Sequence, residues 1–132
     1  MEIFTSYFAK EKKLREKGIV PVSIARFPPK FFYGPSLFEL APRAEMLRMP
    51  EEQYDREFNK ILARLNPQQI YKQIKRMSGG RDVALLCFEK SGEPCHRYMV
   101  ADWLNRELGL NIKEFDYVPK SKPEGVQGSL FS

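Results

Sequence analysis

One short segment restricts the fold more than any other: Val83-Ala-Leu-Leu-Cys-Phe88, an unbroken apolar run between Ser78-Gly79-Gly80 and the polar stretch Glu89 to Pro94. A strand with one wet face alternates apolar and polar side chains. An uninterrupted run of this length therefore belongs to a strand covered on both faces, as in a parallel sheet between helical layers. The run is also far too short to cross a bilayer.

The rest of the chain supplies elements to flank such a strand. Glu2-Ile-Phe-Thr-Ser-Tyr-Phe8 is rich in β-branched and aromatic residues and reads as a strand, and Val20 to Ala25 reads as another. Between them the polar Ala9 to Lys17 stretch, closed by Gly18, suits a helix, so the simplest arrangement is a βαβ unit with parallel strands. Tyr54, Phe58, Ile61, Leu62 and Leu65 recur at helical spacing, as do Ile70, Ile74 and Met77 after the break at Asn66-Pro67. Met99, Val100, Trp103, Leu104 and Leu108 mark one face of a further helix ending near Gly109, and Ile112 to Tyr117 supplies a last strand. The expected fold class is α/β: an open, mostly parallel sheet with flanking helices, a Rossmann-like three-layer sandwich. Ligands of such sheets bind outside the carboxyl ends of the strands.

The long stretch from Arg26 to Pro50 is broken by prolines and carries Phe27, Phe31, Phe32, Tyr33 and Phe38. It is either a binding loop over the site or a cap on one end of the core. With 132 residues, one domain over 1–118 is expected, followed by a flexible tail over 119–132. The acidic second residue and lysine-rich first helix do not resemble a signal peptide, so a cytoplasmic location is expected. There both cysteines, Cys87 and Cys95, should be thiols. The net charge of +5 favours polyanions by a weak, salt-sensitive attraction. Lys10, Lys12, Lys13, Arg15 and Lys17 could follow a nucleic-acid backbone or form a solvated helix face, and Tyr7 and Trp103 could stack on a base or belong to the core.

Chemistry concentrates in Cys87-Phe-Glu89 and Cys95-His96-Arg97, which run from the end of the buried strand into a helix N-terminus. Three readings compete. In the leading one the helix N-terminus and Arg97 bind the anionic group of a phosphate-bearing small molecule or nucleic acid, with Arg26, Ser6 and Thr5 arriving from neighbouring strand ends. In the second Cys95 is a nucleophile activated by the helix field, with His96 or Glu89 handling protons. In the third Cys87, Cys95 and His96 hold a metal ion. Adjacent helical side chains diverge by about 100°, so Cys95 and His96 could share an ion only if the helix began later; no metal is assigned, and the cofactor is left unknown.

The stretch Ala84-Leu-Leu-Cys-Phe-Glu-Lys90 followed by Cys95-His-Arg97 and Ala101-Asp-Trp-Leu104 resembles the signature of domain of unknown function family 488 (DUF488). Thr5-Ser-Tyr-Phe8, Pro21-Val-Ser-Ile-Ala-Arg26, Pro28-Pro29 and Leu40-Ala-Pro42 are similar to that family's N-terminal pattern. The resemblance implies a fold and the place of a site, without a reaction.

Beyond Tyr117 the chain becomes linker-like and ends in Gln127-Gly-Ser-Leu130-Phe131-Ser132. Gln127 with Leu130 and Phe131 resembles the peptide by which bacterial replication and repair proteins bind the sliding clamp, an extended segment that seats apolar side chains in a groove. The functional expectation is a nucleic-acid- or nucleotide-associated protein, recruited to DNA replication or repair through that tail. Its alternatives are a small cytosolic enzyme acting on a nucleotide or phosphorylated metabolite through Cys95, and a non-catalytic regulatory binding module.

Overall fold

The computed structural model describes residues 1–89 and 95–116. The tail with Gln127, Leu130 and Phe131 lies outside the described residues, as do Glu93 and Pro94. Four strands, β1 (Ile3–Tyr7), β2 (Val20–Ser23), β3 (Val83–Cys87) and β4 (Lys113–Glu114), form one parallel sheet in the order β2-β3-β1-β4. Among them stand α1 (Glu11–Glu16), α2 (Glu51–Ala63), α3 (Pro67–Ser78) and α4 (His96–Leu108). The fold is the expected three-layer α/β sandwich. The sequence places β1 and β2 in one βαβ unit, but in space β3 lies between them, pairing Val83 to Leu86 with Val20 to Ser23 and Val83 to Cys87 with Ile3 to Tyr7.

β3 is apolar throughout because both its faces are covered. Val83 and Leu85 point into a core built with Phe58 and Leu62 of α2, Ile70 and Ile74 of α3, and Val100, Trp103 and Leu104 of α4. Ala84 and Leu86 point the other way, against Leu14 of α1, Phe8, Ile19 and Phe115. The period-two alternation of a strand thus divides one sequence run between two cores. Trp103 belongs to the first core, and Lys12, Lys13 and Arg15 form the exposed side of α1 around buried Leu14.

Helix ends follow local chemistry. Asn66 accepts hydrogen bonds from the backbone N–H groups of Gln68 and Gln69 at 2.9 and 3.1 Å, with Pro67 opening α3 and Gly79 closing it at φ 65°. Asn66→Ala should cost about 1 kcal/mol of unfolding free energy, read from urea denaturation, because two N–H groups lose their partner. The Arg26–Pro50 segment is irregular apart from 3-10 turns at Phe38–Leu40 and Ala44–Arg48. It divides the two roles open to it. Phe32 packs edge-on against Phe8, whereas Phe27, Phe31, Tyr33 and Phe38 remain exposed. No described helix is long and apolar enough to cross a membrane.

Candidate functional site

A cavity of 630 Å³ opens at the carboxyl ends of β2 and β3, where ligands of parallel sheets bind. Its walls come from the residues after β2 (Ala25, Arg26, Phe27), the end of β3 (Cys87, Phe88, Glu89) and the start of α4 (Cys95, His96, Tyr98, Met99). The loop residues Leu47 and Met49 and the first turns of α2 complete it, with Glu51, Tyr54 and Asp55. Among the described lining residues the acidic and basic side chains besides His96 are Arg26 and three carboxylates, Glu51, Asp55 and Glu89. Tyr54 registers this acidity: burial first, then the charges of Glu89 and Asp55, push its phenol above the usual range, so it stays protonated.

The helix begins one residue later than Cys95. Cys95 has extended backbone angles, φ −160° and ψ 147°, and α4 starts at His96. The 100° divergence of neighbouring helical residues therefore does not apply to this pair, and Cys95 Sγ lies 3.9 Å from His96 Nδ1. Cys87 follows Val83 and Leu85 on the same side of β3, facing α4. Both cysteines were expected as thiols; the structure instead joins them as a disulfide, with Cα atoms 7.3 Å apart. The extended step at Cys95 turns its sulfur back toward the strand end, which spacing along the chain does not reveal.

His96 is 8% exposed and packs edge-on against Phe58. Its Nε2 lies 2.8 Å from the carbonyl oxygen of Ile24. A carbonyl only accepts, so Nε2 carries the proton and the Nδ1 lone pair faces Cys95. Burial lowers the His96 pKa to about 4, against the opposing Ile24 hydrogen bond and with a smaller push from the Arg97 charge. A neutral imidazole of such low proton affinity is a weak base for a thiol but remains an electron-pair donor.

Arg97 is fully buried, and its donors are engaged inside the fold. Nε and Nη2 form a two-pronged pair with Glu114 at 3.0 and 2.8 Å, Nη2 also reaches the Tyr98 hydroxyl, and Nη1 donates to Cys87 Sγ at 3.0 Å. The Thr5 hydroxyl lies 2.6 Å from the same Glu114 carboxylate. Asn105 anchors the approach to β4 by accepting from Ile112 N–H at 2.8 Å and donating to its carbonyl at 3.3 Å, which carries Glu114 to Arg97.

The residues singled out in the sequence thus separate into groups. Cys95, His96, Glu89 and Arg26 meet at the cavity, where Arg26 Nε donates to the Pro42 carbonyl at 2.7 Å. Arg97 and Thr5 belong to a buried polar knot with Glu114. Ser6 is on the opposite face of β1, fully buried, and its hydroxyl has no partner among the described residues. Sequence reasoning passed over Glu114, Tyr54, Glu51 and Asp55. The last two stand four apart at the acidic start of α2, which is one helix face and could have been read as such; Glu114 carries no local signal.

Compared with known proteins, residues 11–108 match the family DUF488-N3a, described as the active DUF488-N3 subclade. No curated protein and no solved structure matches the chain.

Proposed function

The chain belongs to the DUF488 family, and from that premise we propose that it is a small enzyme that holds an organic ligand in the cavity and transforms it at the Cys87, Cys95 and His96 cluster. The observation that carries the reading is the meeting of two sulfurs and an imidazole of fixed tautomer in the wall of a cavity at the carboxyl ends of the strands. The description of the matched subclade as active agrees with it.

The lining also describes the ligand. Phe27, Leu47, Met49 and Met99 suit an apolar or flat body, and Glu51, Asp55 and Glu89 suit N–H donors on it. A nucleoside-like or amine-bearing molecule meets both conditions. A phosphate on the ligand has Arg26 as its one arginine or lysine among the described lining residues, since Arg97 is engaged with Glu114. The phosphate-binding part of the sequence expectation therefore draws on less than its nucleoside part does.

The test is consumption of compounds from a pool of nucleosides, nucleotides and amines by the dithiol-reduced protein, followed by mass spectrometry. Turnover of an amine-bearing compound is expected, slowed at least about a hundredfold by Cys95→Ser. Unchanged turnover in that variant, or no consumption by the reduced wild type, would count against the assignment.

A further inference from the structure

We propose that, in the reduced protein, Cys87 and Cys95 as thiolates and His96 through Nδ1 together hold one soft divalent cation of the zinc class, with its fourth coordination position open to the cavity. The inference rests on reading this cluster as the reacting centre and names the cofactor that it takes.

Three independent features meet there. The three donor atoms lie within 4.8 Å of one another. A tetrahedral ion with bonds of about 2.3 Å to sulfur and about 2.0 Å to nitrogen places neighbouring sulfur and nitrogen donors roughly 3.6 Å apart and two sulfurs roughly 3.8 Å apart. Cys95 Sγ and His96 Nδ1 already stand at 3.9 Å. The Cα atoms of Cys87 and Cys95 are 7.3 Å apart, beyond the separation of about 4.4–6.8 Å that disulfides usually span, which leaves room for two sulfurs to sit side by side on one ion.

Groups that would orient metal ligands are also in place. Metal-binding imidazoles characteristically donate their other N–H to a carbonyl or carboxylate, and His96 Nε2 does so to Ile24. A thiolate on Cys87 would receive a charge-assisted hydrogen bond from Arg97 Nη1, whose position is locked by Glu114. Finally, all three ligands line the cavity, so an exchangeable position faces the ligand space. Two cysteines, one histidine and an open site form a known catalytic ligand set for zinc.

The redox step balances as a thiol–disulfide exchange. A dithiol reductant breaks the Cys87–Cys95 bond, delivering two electrons and two protons, and itself becomes a disulfide. Binding of the dication then releases the two thiol protons.

Titrating the reduced, chelator-treated protein with Co²⁺ tests the proposal. One equivalent should bind with sulfur-to-cobalt charge-transfer absorption and the visible bands of a four-coordinate ion, and Zn²⁺ should displace it. Protein reoxidised to the disulfide should show neither signal. Cys95→Ser, at a half-buried position, and His96→Gln should each weaken binding at least about a hundredfold, because losing even an outer partner of a metal ligand costs 10–100-fold. Melting curves of both variants without metal establish that they fold. Absence of charge-transfer absorption in the reduced wild type, or its persistence at full strength in folded Cys95→Ser, overturns the inference. Compound consumption measured on the same chelated protein separates the two proposals: turnover without metal leaves the cavity assignment standing and removes the cation.

Discussion

Replacing Glu114 by alanine is expected to destabilise the fold by about 3–5 kcal/mol, because it strands the guanidinium of Arg97 in the interior. Arg97 is 0% exposed and Glu114 side-chain exposure is 6%, so neither charge can turn to water when its partner is removed. Cys87 and Tyr98 would remain beside the cation, but neither restores the two-pronged carboxylate contact. Urea denaturation of Glu114→Ala beside the wild type measures the loss. Asp116→Asn serves as contrast: Asp116 pairs with Lys13 on the surface, asparagine keeps the φ of 60° that this position adopts, and loss of the charge should leave the midpoint almost unmoved. The double change Arg97→Met with Glu114→Leu should recover much of the loss, since apolar replacement of a buried pair is often neutral. A midpoint for Glu114→Ala as little shifted as that of Asp116→Asn would refute the account of the buried knot.

The second large effect is acid destabilisation through His96. Burial holds its folded pKa at about 4, while an exposed histidine titrates near 6.5. Between those values the unfolded chain binds a proton that the folded protein refuses. Stability is therefore complete above about pH 6.5, falls as the pH drops toward 4, and below that has lost the whole difference, on the order of 3 kcal/mol. The interval from about 6.5 to 5.5 isolates His96. The carboxylates whose pKa values lie below the ordinary range, Glu45 and Glu57 beside Arg43 and Asp116 beside Lys13, are charged in both states there. The slope of unfolding free energy against pH, compared between wild type and His96→Gln without metal, is the measurement. Equal slopes would show that the buried imidazole titrates in the folded protein as it does in the unfolded chain, and would refute the account.

Much of this molecule is legible along the chain, and each legible part rests on local chemistry. The stripes of α2 and α3, the Asn66-Pro67 start, the Gly79 and Gly109 ends and the doubly covered β3 are all written in residues near one another in sequence. The place of the cavity was legible too, because a strand leading into a helix N-terminus at Cys95 and His96 must end at the carboxyl edge of a parallel sheet. Even the separation of Thr5 from Ser6 was legible, since successive strand residues face opposite sides; both were nevertheless assigned to one anion site.

Other features were decided only in three dimensions. Strand order put β3 between β1 and β2, because the sheet interior goes to the strand best able to bury both faces, which is a comparison among strands distant in sequence. The pairing of Arg97 with Glu114, the fixing of the His96 tautomer by the Ile24 carbonyl 72 residues earlier, and the meeting of the two sulfurs depend on side chains brought together by packing. Arg97 shows the difference most clearly. From sequence it is a cation beside a helix N-terminus and free to bind an anion, and only the arrival of β4, steered by Asn105, supplies the carboxylate that neutralises it. Periodicity and capping act over a few residues and survive in the one-dimensional chain, whereas electrostatic complementarity acts through space and exists only after the chain has folded.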